Sequence, residues 1–210
     1  MWCITKVFFI FMKYTDDINI FKLNKDFTAE IDITGTFGHI YHYPQRMNGC
    51  LFILCLRGEC DITIHLSEHK IQKNDIVTIL PETFVHVHRQ SPDCRLYLAG
   101  FNKELLNGIN FFNSTKNYLS ALIDTPVTPL RPETSELFQD YFMLLIKMKH
   151  IEAKPNKDLL SSMLLTILHG VGNIHQNTNV TTRAFNRGEE IVKRLVQYII
   201  KHYTQERSCS

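Results

Sequence analysis

Between Ala29 and Phe101 the sequence is a succession of short apolar runs, each closed by a turn signal. This feature constrains the fold more than any other. Ala29–Thr34 alternates apolar and polar residues, and so does Cys60–Leu66. The second run puts Ile62, Ile64 and Leu66 on one face and Asp61, Thr63 and His65 on the other. Further runs are His39–Tyr43, Leu51–Leu56, Asp75–Leu80, Phe84–Arg89 and Arg95–Phe101. Pro44, Asn48-Gly49, Arg57-Gly58, Lys73-Asn74-Asp75 and Ser91-Pro92-Asp93 punctuate them. Short strands at close, even spacing predict a barrel or a sandwich.

After Phe101 the period changes. Asn102–Asn107 reads as one short helical turn, and Pro126 and Pro129 break the chain. Pro132 suits the first turn of a helix, along which Leu137, Phe138, Tyr141, Phe142, Leu145 and Met148 recur at helical spacing. Asn156 is a good N-cap for the next helix. That helix carries Leu159, Leu160, Met163, Leu164, Ile167, Leu168 and Val171. Two long helices with a short loop predict an antiparallel hairpin. Gln176–Thr182 is polar and reads as a linker. A third helix follows, with Ile191, Leu195, Tyr198 and Ile199 on one face and charges of both signs on the other.

The resulting expectation is an α+β chain. Residues 1–125 form a β-barrel, 130–176 a helical hairpin, and 182–210 a C-terminal helix. The hairpin stripes are wider than one barrel flank can cover, which predicts a homodimer. Phe138, Phe142, Leu145, Leu160, Leu164 and Ile167 are the expected contacts.

Composition narrows the function classes. With 210 residues, 44% apolar and 21% charged, the chain is neither disordered nor fibrous. Its 23 Lys and Arg against 21 Asp and Glu leave a net charge of +2, too little to coat nucleic acid along the whole surface. The six cysteines form no CxxC pair. They read as reduced, buried thiols of a cytoplasmic protein. Trp2–Met12 is apolar but short and interrupted by Lys6, so neither a membrane span nor a signal peptide is expected. Translation starting at Met12 is the alternative to an N-terminal arm.

Two stretches carry a family resemblance: LFILCLRGECDITI with HKIQKNDIVTILP, and VKRLVQYIIKHYTQERS. Together they resemble transcription regulators of the AraC/XylS type, notably the Bacteroidetes branch. The resemblance implies an N-terminal cupin-like (jelly-roll) β-barrel that senses a small-molecule effector, and a helix pair that dimerises. DNA binding in such regulators belongs to a C-terminal pair of helix-turn-helix units, of which residues 182–210 match only the beginning. The chain is therefore expected to be the sensing and dimerisation portion of such a regulator, with DNA contacts made only through a domain outside these residues.

The barrel also offers chemistry. Asp75-x5-Pro81-x-Thr83-x-x-His86 matches the second cupin motif, and His88 lies two residues on, on the same strand face. The first-motif histidines and glutamate are missing ahead of Gly58, so a metal set of three or four ligands is not complete. No catalytic residue and no cofactor is assigned. His86 and His88 are instead expected to point inward and line an effector pocket with Phe84, Tyr41 and Arg46. Alternation alone leaves open the reverse, with Val85 and Val87 inward. The alternative function is a small metal-dependent cupin enzyme, an isomerase or a dioxygenase. Phosphate loops and the Gly-x-Ser-x-Gly pattern are absent. Nothing in the sequence identifies the effector.

Overall fold

The computed structural model describes residues 26–109, 111–115, 117–151 and 155–177. The elements run β1 (Phe27–Asp32), α1 (Thr36–Ile40), β2 (Gln45–Arg46), β3 (Gly49–Arg57), β4 (Cys60–Ile64), β5 (Ser67–Ile71), β6 (Asp75–Ile79), β7 (Phe84–Gln90) and β8 (Arg95–Asn102). Then come α2 (Lys103–Gly108), α3 (Phe111–Thr115), α4 (Leu119–Asp124), β9 (Val127–Pro129), α5 (Pro132–Ile151) and α6 (Lys157–Asn177).

The strands form two antiparallel sheets, ordered β1-β8-β3-β6-β9 and β2-β7-β4-β5. They are open sheets sharing a core, not a closed barrel, which corrects the barrel expectation. Because side chains alternate across a strand, the five-stranded sheet serves two cores at once. Leu51, Ile53 and Cys55 of β3 join Ile62, Ile64, Val85 and Val87 of the other sheet. Cys50, Phe52 and Leu54, the intervening residues, join the helices. The same split divides Leu96 and Leu98 from Tyr97, Ala99 and Phe101 on β8. A sheet buried on both faces reads as a continuous apolar run, as Gly49–Leu56 does.

The helical layer covers the outer face of that sheet. Phe138, Phe142, Leu145, Leu160, Leu164 and Ile167 are at most 7% exposed within this one chain. They pack with Phe52, Tyr97 and Phe101, and Phe142 stacks on Tyr97. Their assignment to a dimer interface is thus corrected: the sheet and the short helices α2 and α4 absorb the wide stripe. What stays exposed on α5 is Leu137, Leu144 and Ile151, seven residues apart. Between the helices, Tyr141 donates its hydroxyl proton to the Met163 carbonyl, and Phe138 lies against Gly170.

Local signals behave as expected at the helix starts. Asn102 accepts from the Leu105 amide at 2.9 Å, and Asn156 from the Asp158 amide at 2.7 Å. α5 begins at Pro132.

Two strand expectations fail. His39–Tyr43 is the end of helix α1 and its exit, not a strand. The Asp32 carboxylate accepts from the amides of Thr34, Thr36 and Phe37 at 3.2, 3.0 and 2.9 Å, which stabilises a helix start that strand alternation does not reveal. Leu66 is not on the buried face with Ile62 and Ile64. β4 ends at Ile64, His65 turns through φ 57°, and Leu66 is left 64% exposed. The segment 182–210 and residues 1–25 lie outside the described residues. Among the described residues no helix is long and apolar enough to cross a membrane.

Candidate functional site

A cleft of about 300 Å³ opens where α1 meets the end of β7. Its walls include Thr34 and Gly38 from one side, His39 and His42 from the end of α1, and His88, Arg89, Gln90 and Cys94 from the other. Among the described residues no Asp or Glu lines it. Asp32 and Gln90 hold the two walls together. Asp32 is 4% exposed and anchors α1 through its three amide contacts. Gln90 accepts from the Gly38 amide at 2.9 Å and donates to the Asp32 carboxylate at 3.4 Å. A Cβ on Gly38 would sit 2.6 Å from the Gln90 oxygen, so glycine is what allows this approach.

His88 faces out from the four-stranded sheet beside the cleft. Its ring is 4.2 Å from that of His86, and its Nε2 hydrogen-bonds the Thr63 hydroxyl at 2.6 Å. A second depression of about 380 Å³ reaches from His88 across Asp61, Glu68, His69 and Lys70. The charges here neutralise one another. Arg89 lies 2.9 Å from Asp61 and 3.8 Å from Glu59, and Lys70 lies 2.8 Å from Glu59. Hydrogen bonding to Asp61 holds the Arg89 guanidinium above its ordinary pKa.

Cys94 of the cleft wall shares a buried cluster with Cys55 and Cys60, and all three are free thiols. The Cys55 thiol donates to the Arg57 carbonyl at 3.4 Å and to the Gly58 carbonyl at 3.7 Å. The neighbouring Cys55 and then Gln90 hold Cys94 below the ordinary thiol range, while Cys55 is pushed up by Cys94 and by burial. Burial alone is the main reason the Cys60 thiol is pushed up to about 12.

Of the five residues expected to bind an effector, only His88 borders the cleft. Tyr41 is 4% exposed, rests 5.0 Å from Phe37 and donates to the Met47 sulfur at 3.7 Å, and burial pushes its phenol up. It belongs to the core between the sheets. Arg46 is exposed and paired with Glu82. Phe84 is exposed, and His86 is half-buried. Val85 and Val87 fill the core instead, so inward histidines are corrected to outward ones. The apolar pair takes the buried face because unpaired imidazoles there would lose their water contacts. His39, His42 and Gln90 are wall residues that the strand pattern does not point to. The available signal was Asp32-x-Thr-Gly-Thr, an Asx-type helix start that brings the histidines to the end of a helix. Among the described residues, no three His, Cys, Asp or Glu side chains are grouped to hold a metal ion.

No family model matches the chain, and no curated protein does. Among solved structures the chain is similar to CuxR, an AraC-like transcriptional activator, at 11% identity and TM-score 0.45. That match covers 87% of this chain and 58% of CuxR. It is similar to ToxT from Vibrio cholerae at 8% identity and TM-score 0.43, covering 83% of this chain and 65% of ToxT. A cupin-family protein with a double-stranded β-helix fold, from Methanocaldococcus jannaschii, matches 40% of the chain at 13% identity and TM-score 0.31, over 80% of its own length. The chain thus spans little more than half of CuxR and less than two thirds of that ToxT structure. All three likenesses fall below a TM-score of 0.5, and the functional reading rests on the chain's own residues.

Proposed function

We propose that this chain is the effector-sensing and dimerisation portion of a transcription regulator of the AraC type. The observation that carries the reading is β1. One end of this strand supports the cleft: Asp32 anchors α1 from behind the wall, and Thr34, two residues on, lines it. Its middle touches α5, where Glu30 faces Lys149 at 3.7 Å. An effector that binds one arrangement of α1 better than another shifts that arrangement, and β1 conveys the shift to the helices. Sensing of this kind needs binding and no turnover.

In this reading α5 and α6 act as an antiparallel hairpin, consistent with Tyr141 meeting Met163 and Phe138 meeting Gly170. The homodimer uses the face that the sheet does not cover. Leu137, Leu144 and Ile151 repeat every seven residues and are 67%, 53% and 80% exposed, the spacing of a helix–helix seam. DNA is read by a domain whose first helix residues 182–210 resemble, and the protein works in the cytoplasm.

Sedimentation equilibrium tests the dimer. The wild-type chain is expected to be dimeric at micromolar concentration, and Leu144→Glu monomeric with its circular dichroism unchanged. A monomeric wild-type chain sinks the dimer, and with it the coupling between two DNA-reading units.

A further inference from the structure

We propose that the cleft between α1 and β7 binds a small organic acid, a monocarboxylate with a short apolar body. The inference rests on the sensing reading for its purpose, and on the chemistry of the cleft walls for the ligand class. Three observations meet there.

The first is a surplus of donors. His39 and His42 are exposed on the α1 wall, and His88 and Arg89 on the β7 wall. An imidazole presents at least one N–H in either protonation state, and a guanidinium presents five. Arg89 turns its Nε to Asp61 at 2.9 Å and its Nη2 to Glu59 at 3.8 Å, which leaves Nη1 for a ligand.

The second is a shortage of acceptors. The side-chain oxygens of the lining belong to Thr34, Gln90 and Ser91, and each is already engaged. Thr34 bonds the Thr36 hydroxyl at 2.7 Å. Gln90 accepts from the Gly38 amide at 2.9 Å, and Ser91 accepts from the Glu59 amide at 2.9 Å. The Asp32 carboxylate behind the wall is taken by three amides. A sugar or an amine brings protons that need acceptors, and a donor left unpaired in a site costs affinity. A carboxylate brings acceptors alone.

The third is charge and shape. Among the described lining residues, Arg89 is the one permanent charge, and it is shared with Asp61 and Glu59. A single negative charge suits such a wall, and a dianion does not. Ile33, 56% exposed, and Pro92 border the same cleft and give an apolar body a surface to rest on. The volume of about 300 Å³ fits a small ligand.

The bound acid bridges the walls. Contacts to His39 or His42 on one side and to His88 or Arg89 on the other add to the tie that Gln90 makes between Gly38 and Asp32. The acid thus favours the arrangement in which α1 lies against β7.

The test is a titration of the full 210-residue chain with cyclohexanecarboxylate at fixed ionic strength, followed by backbone amide NMR. The Gly38 and Gln90 signals are expected to move together, with a micromolar-to-millimolar Kd, as suits a ligand of about nine non-hydrogen atoms. Cyclohexanecarboxamide and cyclohexylmethylamine are expected to bind at least about tenfold more weakly. Equal or tighter binding of either analogue overturns the proposal, and so does the absence of shifts at the cleft amides. Binding of inorganic phosphate without the carboxylate overturns it too. The exposed substitution His42→Glu is expected to abolish carboxylate binding and to leave the urea midpoint unchanged, and retained binding counts against the site. Shifts confined to the cleft, with the Glu30 and Lys149 amides unmoved, sink the sensing reading and leave the acid site standing.

Discussion

Lys149 places its ammonium 3.7 Å from the Glu30 carboxylate, an ion pair that joins the helical layer to the first strand with about a third of each side chain exposed. Burial raises the Glu30 pKa, and the attraction of Lys149 only partly offsets it. A half-buried pair of this kind contributes little net stability, because loss of water cancels most of the attraction. A double-mutant cycle of Glu30→Gln and Lys149→Met is therefore expected to give a coupling below about 1 kcal/mol. Urea unfolding checks it, and a coupling several times larger contradicts this account.

Asp32 matters more. Replacing it with Ala leaves the amides of Thr34, Thr36 and Phe37 without their acceptor. Helix-cap losses run to about 2 kcal/mol, and a buried donor left unpaired adds to that. Asp32→Ala is expected to lower stability by about 2 kcal/mol or more, and Asp32→Asn by clearly less. The urea midpoint of each variant reads this directly.

Acid should loosen the helical layer through His175. Its two ring nitrogens meet the hydroxyls of Thr125 at 3.3 Å and Thr128 at 2.9 Å, and burial lowers its pKa from 6.5. The folded state therefore binds a proton less readily than the unfolded one. Stability is complete above pH 6.5 and falls as pH drops below it, until the folded pKa is passed. His65, lowered by burial as well, adds to the same slope. The melting temperature is expected to fall between pH 7.5 and 5.5, and less steeply in His175→Gln. Equal slopes for the two proteins refute the assignment.

Two helical glycines should respond in opposite ways. A Cβ on Gly172 would lie 2.6 Å from the Tyr118 ring, whereas one on Gly108 meets nothing within 4 Å. Alanine improves a helix by up to about 1 kcal/mol, and overpacking costs about 1–3 kcal/mol. Gly108→Ala is expected to raise the melting temperature and Gly172→Ala to lower it. Calorimetry on the two variants decides.

The strands of the two-sided sheet were legible because burial on both faces writes an unbroken apolar run, as in β3. The helix starts at Asn102, Pro132 and Asn156 were legible because a cap is a local bond. Helix α1 was not, since its stability comes from a carboxylate four and five residues upstream and from Gln90, distant in sequence. β5 was missed as well, because Ser67–Ile71 buries only Ile71 fully and its polarity resembles a loop. The inward or outward choice for His86 and His88 has no local answer. The partner sheet settles it by offering Val85 and Val87 an apolar face. The hairpin stripe looks too wide in the sequence because alternation does not reveal the sheet's second buried face.

The sheet with two interiors also divides the chain into parts that tolerate change and parts that do not. In β3 a substitution at any position from Cys50 to Cys55 disturbs one core or the other. In β4 and β7 every second residue faces water. The outer sheet and the cleft beside it can therefore exchange residues, and with them ligand preference, while the helices keep their seat.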